Sequence, residues 1–125
     1  MLSVMNLHQN SVLDQNFPAW TLELVLDGST KRLHEDIKSS YSDRRIKVRY
    51  YADNMGLTSR LVNAVADAKT PYIARIDAGD IWHAEKLQKQ IEFFRCNPLV
   101  IVVGTQVSYF TAPKNIYTES LLALL

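Results

Sequence analysis

Two carboxylates separated by a short turn are the residues with the clearest potential for chemistry. Asp77 and Asp80 directly follow the apolar run "YIARI", and only Ala78 and Gly79 lie between them. Divalent cations prefer hard oxygen ligands and can bridge such carboxylates to a phosphate. Carboxylates at the end of a strand can also accept hydrogen bonds from a ribose. The spacing indicates metal-bridged diphosphate binding, with ordinary turn chemistry of Asp and Gly as the alternative.

Four further polar or glycine residues are candidates for the same kind of site. Asp27 ends the run "LELVL" and could contact a ligand, form a turn or cap a helix. Asn54 and Gly56 are typical of a turn before a helix, with ligand contact as the alternative. Arg75 interrupts a predicted strand, so we expect it to have a partner, either Asp77 or a bound phosphate, unless it faces water at an edge.

The elements that must position these residues alternate between short apolar runs and helical patterns, which predicts an α/β fold. We expect a three-layer α/β/α sandwich with a mainly parallel sheet. In such sheets ligands bind beyond the carboxyl ends of the strands, where Asp27 and Asp77 would lie. The patterns predict strands over residues 22–26, 46–51, 71–77 and 99–104, and helices over residues 7–16, 30–41, 57–65, 84–95 and from 117 onward.

The helix predicted over residues 84–95 has the clearest division into two faces. Leu87, Ile91 and Phe94 recur at helical spacing and form the expected inner face. Lys86 is expected on the outer face, together with the other charged residues of this segment.

Composition limits the class of protein. The 125 residues suffice for one domain with a hydrophobic core. The formal charge of +1 is too balanced to indicate nucleic acid or an anionic membrane surface. Cys96 is the sole cysteine, which excludes an internal disulfide. With no signal peptide pattern and no membrane-spanning apolar run, we expect a cytoplasmic protein, with peripheral contact to the inner membrane face as a variant.

Several motifs together resemble the nucleotide-sugar binding half of the family 2 glycosyltransferases. That family's pattern runs N-x-G-L, then N, then a strand ending in D-A-D-D, then a helix with K-L-x-x-Q. "SVLDQNFPAWTLELVLDGST" resembles its S-x-L-x-Q and W-E-L-I-V-V-D-D-G-S-T segments, and "VVGTQV" resembles its next strand. The resemblance covers residues 11–107, and the matching positions of the central pattern are Asn54, Gly56, Leu57, Asn63, Arg75, Asp77, Ala78, Asp80, Lys86, Leu87 and Gln90.

The resemblance implies a glycosyltransferase A-type, Rossmann-like fold and transfer of a sugar from a nucleoside diphosphate sugar to an acceptor hydroxyl. A UDP-sugar donor, Mg²⁺ or Mn²⁺ and a role in cell wall or polysaccharide biosynthesis are expected. Asp27 would lie near the nucleoside, Asp77 near the ribose and diphosphate, and Asp80 near the metal or the donor sugar. The implied donor site comprises Asp27, Asn54, Gly56, Arg75, Asp77 and Asp80, of which Asp77 and Asp80 would be the metal ligands.

The chain also departs from the family pattern. Gly79 stands where the third position of D-A-D-D carries an acid, and Leu26 stands where the first acid of D-D-G-S is expected. "MLSVMNL" is at most a remnant of the family's first strand, and the acceptor half would begin about where "ESLLALL" stops. We therefore expect residues 1–125 to form a single, partial donor domain without the catalytic base, which associates with itself or with an acceptor-domain partner.

Two alternatives remain at this point. The first is a catalytically inactive binding or assembly module of the same fold, favoured by Gly79 and by the expected lack of an acceptor half. The second is a phosphoacceptor receiver domain, which has strand-end acids and a late lysine. Lys114 follows Pro113 in a polar turn instead of ending a strand, which disfavours the receiver domain.

Overall fold

The computed structural model describes residues 10–77, 80–111 and 115–117. The chain divides into two compact units. We call Pro18–Thr70 the Asp27 unit, and Met1–Phe17 together with Pro71–Leu125 the Asp77 unit. Gly79, Lys114 and the segment "ESLLALL" lie outside the described residues, so the expectations that concern them remain predictions.

The Asp27 unit contains a parallel pair of strands joined by a helix. Strand β1 (Leu22–Asp27) pairs with β2 (Ile46–Tyr51), and helix α1 (Lys31–Ser40) connects them. Parallel neighbours need such a crossover, because the chain must return to the same end of the sheet. The register places Asp27 opposite Tyr51 at the carboxyl end of both strands. The predicted strands over residues 22–26 and 46–51 are confirmed.

Local sequence accounts for the bounds of the two helices in this unit. Helix α1 begins after Thr30, whose hydroxyl accepts a hydrogen bond from the Leu33 N–H at 3.2 Å. It ends before Tyr41, which has extended backbone although the sequence pattern placed it in the helix. Helix α2 (Leu57–Asp67) begins after Gly56. Its buried residue is Arg60, which the apolar pattern did not indicate.

In the Asp77 unit, helix α3 (Lys86–Cys96) packs the predicted inner face into a small core. Leu87, Ile91 and Phe94 are buried, together with Val12 from a short helical turn over residues 10–13. That turn is the described part of the helix predicted over residues 7–16. The inner face of α3 is therefore confirmed.

The predicted position of Lys86 on the outer face is wrong. The side chain is 9% exposed, and Gln90, one helical turn further on, is also buried. Lys86 Nζ donates to Thr105 Oγ1 at 3.2 Å, and Gln90 Nε2 donates to the Val103 carbonyl at 3.4 Å. A lysine can bury its aliphatic stem while its ammonium finds a polar partner, so charge alone did not predict the face.

The strands predicted over residues 71–77 and 99–104 are not formed in the part of the chain that the structure describes. Both segments run without ladder pairing, although Tyr72 stacks on Phe94 with ring centroids 5.2 Å apart. Apolar runs indicate burial, but a strand also needs a hydrogen-bonding neighbour. The Asp77 unit instead contains strands β3 (Tyr109–Thr111) and β4 (Asn115–Tyr117), which pair antiparallel.

The helix predicted from residue 117 onward lies outside the described residues except for Tyr117, which belongs to β4. None of the described helices has the length and apolar character needed to cross a membrane.

Candidate functional site

In the Asp27 unit, the Asp27 carboxylate joins the end of β1 to the start of α2. Its Oδ1 accepts from Arg60 Nε at 2.7 Å and from the Met55 N–H at 3.1 Å, and its Oδ2 accepts from the Gly56 N–H at 2.8 Å. The hydrogen bond from Arg60, helped by those from the two backbone N–H groups, holds the pKa of Asp27 below its usual value, although desolvation opposes the shift. Asp27 therefore stays ionised and organises the loop before α2.

Arg60 is the main partner of Asp27, and the sequence patterns did not identify it. The side chain is 7% exposed. Its Nη2 donates to the Asp53 carbonyl at 2.8 Å, and its guanidinium lies 3.6 Å from the centre of the Tyr51 ring. A planar cation can use its edge for hydrogen bonds and its face for an aromatic ring at the same time. The sequence feature that could have revealed Arg60 is its position on the otherwise apolar face of a predicted helix.

The turn residues next to Asp27 have the predicted role. Asn54 Oδ1 accepts from the Gly56 N–H at 3.0 Å, which closes a local turn. Gly56 has a φ of 81° and Gly28 a φ of 66°, a region that favours glycine. A Cβ on Gly28 would lie 2.7 Å from the Cβ of Asn54, so the two loops touch where only a glycine fits.

These residues border an open pocket of about 300 Å³. It combines an apolar wall with one carboxylate and one guanidinium, which are paired with each other. Three predicted site residues, Asp27, Asn54 and Gly56, lie together around it. The lining residues are Val25, Asp27, Asn54, Gly56, Leu57, Arg60, Leu61 and Ala64.

In the Asp77 unit, Arg75 and Asp77 form a bidentate ion pair. Arg75 Nε donates to Asp77 Oδ1 at 2.9 Å, and Arg75 Nη2 donates to Oδ2 at 2.8 Å. The side chains are 27% and 34% exposed. Residues two apart can share one side of an extended segment, which allows this contact. Of the partners predicted for Arg75, the structure shows Asp77.

Asp80 is joined to Asp77 through the backbone, and its charge acts on Lys86. Its N–H donates to the Asp77 carbonyl at 3.1 Å. Burial lowers the pKa of the Lys86 ammonium, and the charge of Asp80 acts on it in the opposite direction. Lys86 Nζ also lies 5.3 Å from the centre of the Trp82 ring. Lys86 was not among the predicted site residues, because its apparent solvent-facing position concealed it.

A buried glutamine supports the loop that carries these acids. Gln15 Nε2 donates to the carbonyls of Ser11 at 3.0 Å and His83 at 2.7 Å, and Gln15 Oε1 accepts from the Leu87 N–H at 3.0 Å. The Ser11 hydroxyl accepts from the Trp82 N–H at 3.1 Å. Because α3 has no side-chain cap of its own at Glu85, Gln15 satisfies one of its free N–H groups. The S-x-L-x-Q motif thus has a structural reason that the sequence alone did not show.

The donor set of this segment fits a divalent cation that shares its coordination with substrate. Within the described residues, no three His, Cys, Asp or Glu side chains are grouped as metal ligands. Mg²⁺, however, is commonly bound by one or two carboxylates together with waters and phosphates. A carboxylate has about four lone-pair sites, so Asp77 retains acceptor capacity beside Arg75. Asp77 and Asp80 thus offer the oxygen ligands that such a cation prefers.

The parallel strand pair with its connecting helix agrees with the expected class of glycosyltransferases. The chain matches the model of glycosyl transferase family 2 over residues 9–122 and belongs to that family. It therefore has the A-type, Rossmann-like α/β fold of the family. Members of the family bind nucleotide-sugar donors and generally use a divalent metal.

Curated relatives agree with this family. The chain is 40% identical over 86 residues to the putative teichuronic acid biosynthesis glycosyltransferase TuaG of Bacillus subtilis, covering 67% of this chain and 34% of the relative. It is 35% identical over 112 residues to the bifunctional glycosyltransferase pgtA of Dictyostelium discoideum, covering 86% and 15%. It is 30% identical over 121 residues to the UDP-Glc:alpha-D-GlcNAc-diphosphoundecaprenol beta-1,3-glucosyltransferase WfgD of Escherichia coli, covering 90% and 47%. The matched region thus spans less than half of each of these relatives.

Proposed function

We propose that this chain binds the donor of a sugar transfer, in which a nucleoside diphosphate sugar gives its sugar to an acceptor hydroxyl. The observation that carries the proposal is the partly exposed Arg75–Asp77 pair, to which Asp80 is bonded through its backbone, within a segment that matches the family. It offers a cation for a phosphate and two carboxylates for a metal. Residues 1–125 would form one partial donor domain.

Each candidate residue has a role in this proposal. Asp77 and Asp80 would hold Mg²⁺ or Mn²⁺, and Arg75 would contact the diphosphate. When bound, the metal would neutralise the charge that develops on the departing diphosphate, as a Lewis acid does. In the Asp27 unit, Asp27 would contact the nucleoside through the pocket that Asn54 and Gly56 shape.

The donor and process are proposed from the names of the relatives. WfgD is named for the use of UDP-Glc, and TuaG is named for teichuronic acid biosynthesis. A UDP-sugar and a polysaccharide pathway are therefore proposed for this chain. A cytoplasmic location, with peripheral contact to the inner membrane face as a variant, is proposed from the sequence. Self-association or an acceptor-domain partner is part of the same proposal.

Calorimetry with UDP and Mn²⁺ tests the donor site. Asp77→Asn should weaken Mn²⁺-dependent UDP binding by at least about tenfold, because a charged oxygen ligand is lost. Asp43→Asn is a matched control, since Asp43 forms the same bidentate pair with an arginine two residues away and has no proposed site role. An unchanged dissociation constant in Asp77→Asn would remove Asp77 from the site.

A second candidate function is a binding module of the same fold that does not transfer sugar. Gly79 favours it, because the family pattern has an acid at this position. Gly79→Asp should then strengthen Mn²⁺ binding, whereas no gain would mean that Asp80 already supplies the ligand or that the metal site is lost. Hydrolysis of a UDP-sugar by the unaltered chain would distinguish an active protein from a binding module.

A further inference from the structure

The Asp77 carboxylate is held by Arg75, a partner that another cation can replace. Both Asp77 oxygens accept hydrogen bonds from one guanidinium, at 2.9 and 2.8 Å. About a third of each side chain remains in contact with solvent. Exposed ion pairs contribute little net stability, because water competes for both partners. The structure thus holds Asp77 in a defined position through a partner whose replacement costs little stability.

The Asp77 carboxylate already has a cation at both of its oxygens, the Arg75 guanidinium. A divalent cation that arrives alone would add two positive charges beside this guanidinium, which occupies the same ligand. A diphosphate that arrives with the cation would compensate this charge.

We propose that Arg75 is an internal counterion of Asp77 that competes with the divalent cation and moves to the donor diphosphate when both bind. This inference rests on the function proposed above. The guanidinium fork that fits the Asp77 carboxylate also fits two oxygens of a phosphate. Arg75 is thus a positioning residue that favours the metal together with the diphosphate over the metal alone.

Thermodynamic linkage makes this role measurable. If Arg75 couples the two ligands, UDP raises the affinity for Mn²⁺ and Mn²⁺ raises the affinity for UDP by the same factor. If Arg75 is a counterion, removing it should raise the affinity for Mn²⁺ alone and lower the coupling factor. If Arg75 only contacts the phosphate, removing it would weaken UDP binding but leave the affinity for Mn²⁺ alone unchanged.

The test is titration of the full chain with Mn²⁺ alone, followed by electron paramagnetic resonance, and then with Mn²⁺ in the presence of UDP. Arg75→Gln should bind Mn²⁺ alone about tenfold more tightly than the unaltered chain, and the coupling factor with UDP should fall at least about tenfold. Arg75→Lys, which keeps the charge but not the fork, should give intermediate values. Arg45→Gln is the control, because Arg45 forms the same kind of pair with Asp43.

The outcomes separate this inference from the proposed function. If the unaltered chain binds UDP with Mn²⁺ but Arg75→Gln gains no affinity for Mn²⁺ alone, the counterion role is wrong and the donor site stands. If the unaltered chain binds no UDP with Mn²⁺, the proposed function fails and the counterion role fails with it. A matching circular dichroism spectrum of each variant shows that folding does not account for the difference.

Discussion

Asp27 and Asp77 both follow an apolar run, and both pair with an arginine, yet their surroundings differ. Asp27 accepts from two backbone N–H groups as well as from Arg60, which is 7% exposed. Asp77 forms one bidentate contact with Arg75, and these two side chains are about a third exposed. Asp27 is bonded into the loop that it organises, while Asp77 is held by a partner that can be replaced.

The comparison shows that an aspartate after an apolar run can be bonded into a loop by several groups or held by a single exposed ion pair. Hydrogen bonds to buried charged groups are costly to break, whereas exposed ion pairs are worth little. Substitutions around Asp27 should therefore lower the free energy of unfolding, and substitutions at Asp77 should change binding with little effect on stability.

The largest expected effect concerns the glycines. Gly28→Ala should lower the free energy of unfolding by roughly 3 kcal/mol. The alanine would have an unfavourable positive φ, and its Cβ would lie only 2.7 Å from the Cβ of Asn54. Gly56→Ala has the positive φ without a close neighbour and should cost about 1–2 kcal/mol. Gly104→Ala has neither and should stay within about 0.5 kcal/mol in urea unfolding. Equal effects at the three positions would contradict this account of the Asp27 loop.

Arg60→Met should lower the free energy of unfolding by about 2–3 kcal/mol, since the Asp27 carboxylate and the Asp53 carbonyl lose the guanidinium that donates to them. Chemical denaturation of the variant and of the unaltered chain measures this change. Arg44→Met is the control, as Arg44 has no role in the loop. A loss of less than about 1 kcal/mol would mean that Arg60 does not stabilise this unit.

In the Asp77 unit, the buried Gln15 side chain should contribute to the free energy of unfolding as Arg60 does in the Asp27 unit. Gln15→Leu should cost about 2 kcal/mol, because the Leu87 N–H and the His83 carbonyl lose their buried partner. Thermal unfolding followed by circular dichroism measures the loss. Gln88→Leu is the matched control on an exposed face, and a similar loss there would show that the effect is not specific to the Gln15 contacts.

Arg75→Gln provides the sharpest contrast with Arg60→Met. The exposed pair with Asp77 should contribute less than about 1 kcal/mol, so the unfolding curve should shift little. The same variant is expected to change Mn²⁺ binding strongly. If its loss of stability equalled that of Arg60→Met, the distinction between a structural pair and an exchangeable pair would be wrong.

The pH dependence of stability should carry the signature of Asp27. Its pKa is lowered in the folded state, so its contribution is fully present above the unfolded value of about 3.8 and is lost as the pH falls through the folded value. The difference in unfolding free energy between the unaltered chain and Asp27→Asn should therefore shrink as the pH falls below about 4. A difference that is constant with pH would show that Asp27 ionisation does not stabilise the fold.

Sequence patterns were most successful where a contact or face depends on nearby residues. The parallel strand pair and the inner face of α3 were expected, and Asp77 was one of two partners expected for Arg75, because strand period, helix period and a spacing of two are local properties. The strands over residues 71–77 and 99–104 were wrong, because an apolar run does not show whether a neighbour supplies hydrogen bonds.

The sequence by itself determined the family motifs, the first parallel strand pair with its connecting helix, and the positions of the acids along the chain. Only the tertiary structure decided which acid is bonded into the fold, because Arg60 reaches Asp27 across 33 positions and Gln15 reaches the Leu87 N–H across 72. It also decided that Lys86 is buried against Thr105. Such contacts depend on how elements pack, and neither residue type nor periodicity specifies which distant polar groups will meet.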